Sequence, residues 1–154
     1  MSKNLRSTFM VVALLFILTA TELVNASPAV KIAIEPSEVT DLESGATFTV
    51  NVTISDVVNL YGWQVNITFN PGILNVEETA EGPLLKQVNE TIYVKKIDND
   101  RGYVLASCSW MPPYPAQGVN GSGILMSITF TVKGSGVSSL SFVKAATKLN
   151  TVIA

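Results

Sequence analysis

Few residues of this chain are equipped for covalent chemistry. Its 154 residues include no histidine and a single cysteine, Cys108, so a thiol nucleophile has no imidazole to take its proton. Cys108 also stands in an alternating apolar run, Gly102 to Trp110, which is a strand pattern and not the setting of a base-activated thiol. Glu77, Glu78 and Glu81 fall close together, and a suitably spaced pair of acids can hydrolyse a glycosidic bond. The same three residues read more readily as a solvated acidic loop, where such charges ordinarily sit. Asp98-Asn99-Asp100-Arg101-Gly102 offers calcium-type oxygen ligands, but the acid an EF-hand needs at its twelfth loop position would here be Ser109. A tight turn accounts for the Asn, Asp and Gly, which tolerate positive φ. The sequence therefore nominates no catalytic residue, no metal ligand set and no cofactor, and the expected protein is not an enzyme.

Two further kinds of residue carry binding or modification chemistry. Trp110 and Tyr114 flank a Pro-rich stretch, Met111-Pro112-Pro113-Tyr114-Pro115, that cannot hold a regular ladder and must be a loop. Flat aromatic faces exposed there would stack on sugar rings, making them candidate carbohydrate contacts, although a loop aromatic can equally pack over the end of a core. Asn51-Val-Thr, Asn66-Ile-Thr, Asn89-Glu-Thr and Asn120-Gly-Ser are sequons on expected outward faces or loops, candidates for glycosylation where the cell has the machinery.

The elements that must position these residues begin after a leader. Lys3 and Arg6, the apolar stretch Phe9 to Ala20, and the small residues of Val24-Asn25-Ala26 read as a signal peptide over 1–26, with the domain following over 27–154. Glu22 interrupts the apolar run before it reaches the length of a membrane span, so membrane contact is expected only during export and the product is expected outside the cell. The lone cysteine excludes an internal disulfide. Removal of the leader leaves a mildly acidic chain with no basic cluster to sit on a phosphate backbone, so nucleic acid is not an expected partner.

Within 27–154 the apolar positions recur with period two. Phe48, Val50, Val52 and Ile54 share one face of a strand from Thr47 to Ile54; Tyr61, Trp63, Val65, Ile67 and Phe69 share one face of the next, which stops at Asn70-Pro71-Gly72. Further strands are expected at 30–35, 73–77, Thr91 to Ile97, Gly102 to Trp110, Ile124 to Val132 and Ser139 to Val143, while Leu84-Leu85 re-enters the interior. Phe48, Val50, Trp63, Val65, Ile67, Met126, Ile128 and Phe130 should meet in one core. The pattern predicts an all-β sandwich, without deciding between immunoglobulin-like and jelly-roll topology.

Gly62-Trp63, Phe69-Asn70-Pro71, Asp100-Arg101-Gly102, Gly121-Ser122-Gly123 and Phe130-Thr131-Val132-Lys133, in this order and spacing, resemble the pattern of cohesins, secreted modules that bind dockerins. The likeness covers most of Val30 to Phe142. It implies a flattened jelly roll whose last strand is missing or truncated here, because cohesins continue into a strand that pairs with the first; either the sequence is a fragment of a longer protein or Thr151 to Ile153 makes a stub of that strand. It implies a dockerin-bearing partner in an extracellular or cell-surface assembly. It also implies a docking sheet made of the strands at Gly62 to Phe69, Thr91 to Ile97, Gly102 to Trp110 and Ile124 to Val132. The outward residues are then the candidate partner contacts: Gln64, Asn66 and Thr68; Tyr103, Leu105 and Ser107; Leu125, Ser127 and Thr129. Tyr103 and Leu105 would be the apolar anchors, unless the parity of their strand is reversed and Ala106 and Cys108 face out. Polysaccharide binding, and a structural or adhesion role at the cell surface, are the alternative functions.

Overall fold

The structure is a computed structural model that describes residues 29–143. The leader at 1–26 and the stub expected at Thr151 to Ile153 both lie outside the described residues. In chain order the elements are β1 (Lys31–Glu35), β2 (Thr47–Leu60), β3 (Gly62–Thr68), β4 (Leu74–Glu81), α1 (Pro83–Lys86), β5 (Thr91–Asp98), β6 (Tyr103–Trp110), β7 (Val119–Val132) and β8 (Ser141–Phe142).

The strands form two antiparallel sheets, β1-β2-β7-β4 and β5-β6-β3-β8, packed face to face as an all-β jelly-roll sandwich. Alternation builds the interior. Val50, Val52 and Ile54 from β2 and Met126, Ile128 and Phe130 from β7 face Trp63, Val65 and Ile67 from β3 and Val104, Ala106 and Cys108 from β6, all of them buried. Phe48 is only partly buried and stacks on Phe130 at 5.5 Å between ring centroids. Each fully buried aliphatic or aromatic side chain in such a set contributes about 1.5–3 kcal/mol relative to exposure.

Several elements differ from the sequence expectation. β2 and β7 run longer because each continues through register shifts that plain alternation cannot carry. Glu77 and Glu78 lie on β4, not in a loop, with a bulge between Val76 and Glu78. Leu84 and Leu85 are buried, as expected, but within a single helical turn, α1, too short to show a helical period.

The largest correction concerns β7. It was expected in the docking sheet, yet it pairs with β2 on one side and β4 on the other, so Leu125, Ser127 and Thr129 belong to the opposite sheet from Gln64. Leu125 does not face out either: it is buried beside Met126. Met126 pairs with Val52 and Ile124 with Thr53, so Leu125 is the extra residue of a bulge, which lets two successive side chains turn inward. The chain beneath it comes very close. The Gly82 amide donates to the Leu125 carbonyl at 2.8 Å, and a Cβ on Gly82 would stand 2.1 Å from the Ile124 carbonyl oxygen.

Candidate recognition face

The outer surface of the β5-β6-β3-β8 sheet is assembled by register. Ile92 lies opposite Ser109 and Ser109 opposite Gly62; Val94, Ser107 and Gln64 form the next row; then Lys96, Leu105 and Asn66; then Asp98, Tyr103 and Thr68. Because cross-strand partners share a face, these rows form one surface. Its parity is fixed by what lies beneath: Val104, Ala106, Cys108 and Trp110 are all buried, while Tyr103, Leu105 and Ser107 are half-exposed. Tyr103 and Leu105 therefore face out, and the reversed parity is excluded. Thr68 bonds through Oγ1 to the Ser141 carbonyl at 3.3 Å, which ties the far end of the face to β8.

Two exposed apolar residues of this face lie outside the sequence expectation. Ile92 and Val94 are 48% and 57% exposed, and with Leu105 and Tyr103 they lay an apolar stripe across β5 and β6. The period-two pattern of β5, with Tyr93 and Ile97 on its inner face, was the available signal. Met111 extends the stripe, since its amide donates to the Glu90 carbonyl at 2.8 Å and continues the β5–β6 ladder beyond Trp110. Lys96 and Asp98 supply the charges. The Lys96 ammonium lies 5.7 Å from the centre of the Tyr103 ring, and contact with the Tyr103 side chain holds Lys96 above the ordinary lysine value.

Asn66 sits inside this face with its Oδ1 buried and unpaired. An orphaned acceptor carries a desolvation cost of about 1–3 kcal/mol.

The edge strand β5 is fastened to β4 by side chains instead of a ladder. Tyr93 donates to Thr79 Oγ1 at 2.9 Å, Lys95 to the Thr79 carbonyl at 2.8 Å and Thr91 to Glu81 Oε1 at 2.8 Å. Asn99 acts like one more strand residue, accepting from the Val76 amide at 2.8 Å and donating to its carbonyl at 3.0 Å. The Cys108 thiol points at Glu81 Oε1, 3.5 Å away. These bonds occupy the groups considered above for chemistry. Glu81 is turned toward Thr91 and Cys108 while Glu77 and Glu78 are exposed, so the three do not converge as a catalytic pair. Asp98 accepts from the Arg101 amide at 2.9 Å through Oδ1, and Gly102 closes the same turn at φ +70. Among the described residues no group of three His, Cys, Asp or Glu stands together as a metal site.

The aromatic pair fares differently from its sequence expectation. Trp110 is not in the loop: it ends β6, 1% exposed, and its Nε1 donates to the Leu85 carbonyl at 2.9 Å. Its neighbour Tyr61 meets it edge-on at 5.4 Å. The burial follows from strand parity, which continues inward through position 110. Tyr114 is exposed, so one ring is left where a sugar platform needs more. A groove of about 910 Å³ opens elsewhere, along β1 and β8, lined by Ile34, Phe48, Ile73 and Phe142 together with Glu38 and Asp41.

The sandwich thus presents on this sheet a surface of mixed apolar and polar side chains. The model of the Cohesin domain family matches residues 32–151, and the chain belongs to that family. Among solved structures, it resembles a type II cohesin in complex with an X-dockerin from Acetivibrio cellulolyticus, with TM-score 0.58, 20% identity, and 77% of this chain and 78% of that chain covered. It is similar as well to the second type II cohesin module of the ScaA scaffoldin of the same organism, with TM-score 0.59, 19% identity, and 79% and 78% covered. A non-cellulosomal cohesin from the archaeon Archaeoglobus fulgidus aligns with TM-score 0.52 and 16% identity, over 66% of each chain. No curated protein sequence matches the chain.

Proposed function

We propose that this protein is a non-catalytic, secreted recognition module that binds a dockerin-bearing protein through the outer face of the β5-β6-β3-β8 sheet, in an extracellular or cell-surface assembly. The observation that carries the reading is the stripe of Ile92, Val94, Leu105 and Tyr103 on that face, bordered toward β3 by Ser107, Gln64, Asn66 and Thr68 and interleaved with Lys96 and Asp98. Apolar anchors surrounded by polar side chains are the anatomy of a protein interface. Family membership over 32–151 supports it, as does the cohesin–dockerin complex among the similar structures. The leader over 1–26 supports export. Leu125 is excluded from the contact set by burial, and Ser127 by its place on the other sheet.

The test is an array of dockerin modules of both type I and type II probed with the purified domain. At least one should bind, and Leu105→Asp should weaken that binding by roughly 2 kcal/mol or more, as expected for a charge placed in a desolvated interface centre. The thermal midpoint should stay near that of the parent, because Leu105 faces outward. Full affinity in Leu105→Asp, or failure of every dockerin in the array, would overturn the reading. The polysaccharide alternative loses its main support with the burial of Trp110.

A further inference from the structure

The sequons form the one sequence motif that the recognition reading does not absorb, and the four asparagines that begin them among the described residues occupy unlike surroundings. We propose that Asn120 is the N-glycan acceptor of the folded domain, and that Asn51, Asn66 and Asn89 are not. In the transfer, the asparagine Nδ2 forms a bond to C1 of a sugar. The bond from that C1 to the oxygen of a polyprenyl diphosphate breaks, the diphosphate leaves with the electron pair, and Nδ2 gives up one proton. A folded acceptor must therefore offer a free Nδ2, an accessible hydroxyl two residues on, and a backbone that can bend into the transferase.

Asn89 fails the first requirement, since its Nδ2 donates to the carbonyls of Met111 and Pro113 at 3.2 and 3.1 Å. It is the anchor of the Pro-rich loop. Asn51 and Asn66 fail the third. Asn51 is paired with Glu35 on one side and Ser127 on the other; Asn66 is paired with Leu105, and its carbonyl accepts from the Val143 amide at 2.9 Å. Bending either strand breaks ladders on both flanks, and Asn66 has its Oδ1 buried as well.

Asn120 meets all three. The partners of β1 on β2 reach only to Ser55, and those of β4 on β7 only to Met126. Asp56–Leu60 and Val119–Ser122 thus form a two-stranded β2–β7 ribbon with no third strand beside it, broken by register shifts on either side of Val57, while Val57, Leu60 and Val119 keep its inner side in the core. The backbone at Asn120 therefore has one interrupted ladder to break where a central strand has two. Asn120 is exposed, and its Oδ1 accepts from the Asn59 amide at 2.8 Å. That bond fixes the carbonyl end of the amide, while Nδ2 makes no hydrogen bond among the described residues. Gly121 at φ +109 has open space around it. The Ser122 hydroxyl accepts from the Asp56 amide at 3.2 Å and keeps its own proton for the enzyme. A glycan here would stand on the β2–β7 ribbon, in the sheet opposite the recognition face.

The experiment uses a single-subunit oligosaccharyltransferase already shown to glycosylate a synthetic peptide spanning Gly118 to Ile124, with a polyprenyl-diphosphate oligosaccharide as donor. The purified folded protein and its urea-unfolded form are compared by peptide mass. Asn120 of the folded protein should react at least about tenfold faster than the other three, because their reaction must wait for local opening. In the unfolded form this preference should disappear, and Asn120→Gln should leave the folded protein with only the slow reaction of the other three. Equal reaction at Asn51, Asn66 or Asn89 in the folded protein would overturn the proposal. So would a folded Asn120 that reacts far more slowly than the peptide.

Discussion

Burial pushes the Cys108 thiol up to about 12, and the charge of Glu81 beside it adds to the shift. A thiol whose value rises on folding holds its proton more tightly in the native state. Its contribution to stability is therefore whole below the unfolded value of 9.0 and is lost as pH rises toward about 12. Two outcomes are expected. Labelling of the native protein by a thiol reagent at pH 8 should be slower than labelling in urea. The fall of the urea midpoint between pH 9 and 12 should be shallower in Cys108→Ala than in the parent, and equal slopes would place Cys108 in a more solvated site. Trp110 carries a separate prediction. Its ring is buried and its indole N–H is bonded to Leu85, so Trp110→Ala should cost about 3–5 kcal/mol in chemical denaturation. A loss under about 1 kcal/mol would mean that the ring is not a core residue.

At the scale of elements, strands were legible and partners were not. Phe48 to Ile54 and Trp63 to Phe69 announce their buried faces because a side-chain period of two has only one reading over so many residues. Alternation says which residues share a face, not which sheet receives the strand, and so β7 was assigned to the docking sheet although its ladders run to β2 and β4. Leu125 was lost to a bulge, a one-residue insertion that inverts parity without any signal in composition. The Pro-rich neighbours of Trp110 suggest a loop, whereas the strand before it decides its direction. The β4–β5 seam was not visible at all, since it depends on side chains distant in sequence meeting across the open side of the sandwich. Asn99 is its sharpest member, occupying both backbone groups of Val76. Asn99→Ala should destabilise the domain by about 1–3 kcal/mol, chiefly through the Val76 amide left unpaired, since the Val76 carbonyl keeps the Asn75 Nδ2 donor at 3.4 Å. Asn99→Asp should keep the bond from the Val76 amide but set a carboxylate against the Val76 carbonyl, and so recover little. Urea midpoints of the two variants measure this directly.

Taken as a whole molecule, the sandwich has two outer faces of opposite character. The β1-β2-β7-β4 sheet presents short polar side chains, Thr47, Thr49 and Asn51 opposite Thr131, Thr129 and Ser127, with Thr49 and Thr129 joined hydroxyl to hydroxyl at 3.1 Å. Such a surface has little apolar area to lose from water and little reason to associate. The β5-β6-β3-β8 sheet exposes Ile92, Val94, Tyr103 and Leu105. Other large apolar side chains are more exposed still, Val58 at 77% and Val137 at 88%, but they stand on the β2–β7 ribbon and in the loop after β7, away from that stripe. Exposure alone would nominate them; continuity nominates the sheet face. Hydroxyl-radical footprinting separates the two, because all of these side chains react when wet. On addition of a dockerin that binds, oxidation of Ile92, Val94, Tyr103 and Leu105 should fall severalfold, as fully desolvated interface centres require, while Val58 and Val137 keep their free-state rates. Protection of Val58 or Val137 with the sheet residues unchanged would move the docking site off the sheet and remove the assignment of Leu105 as an anchor.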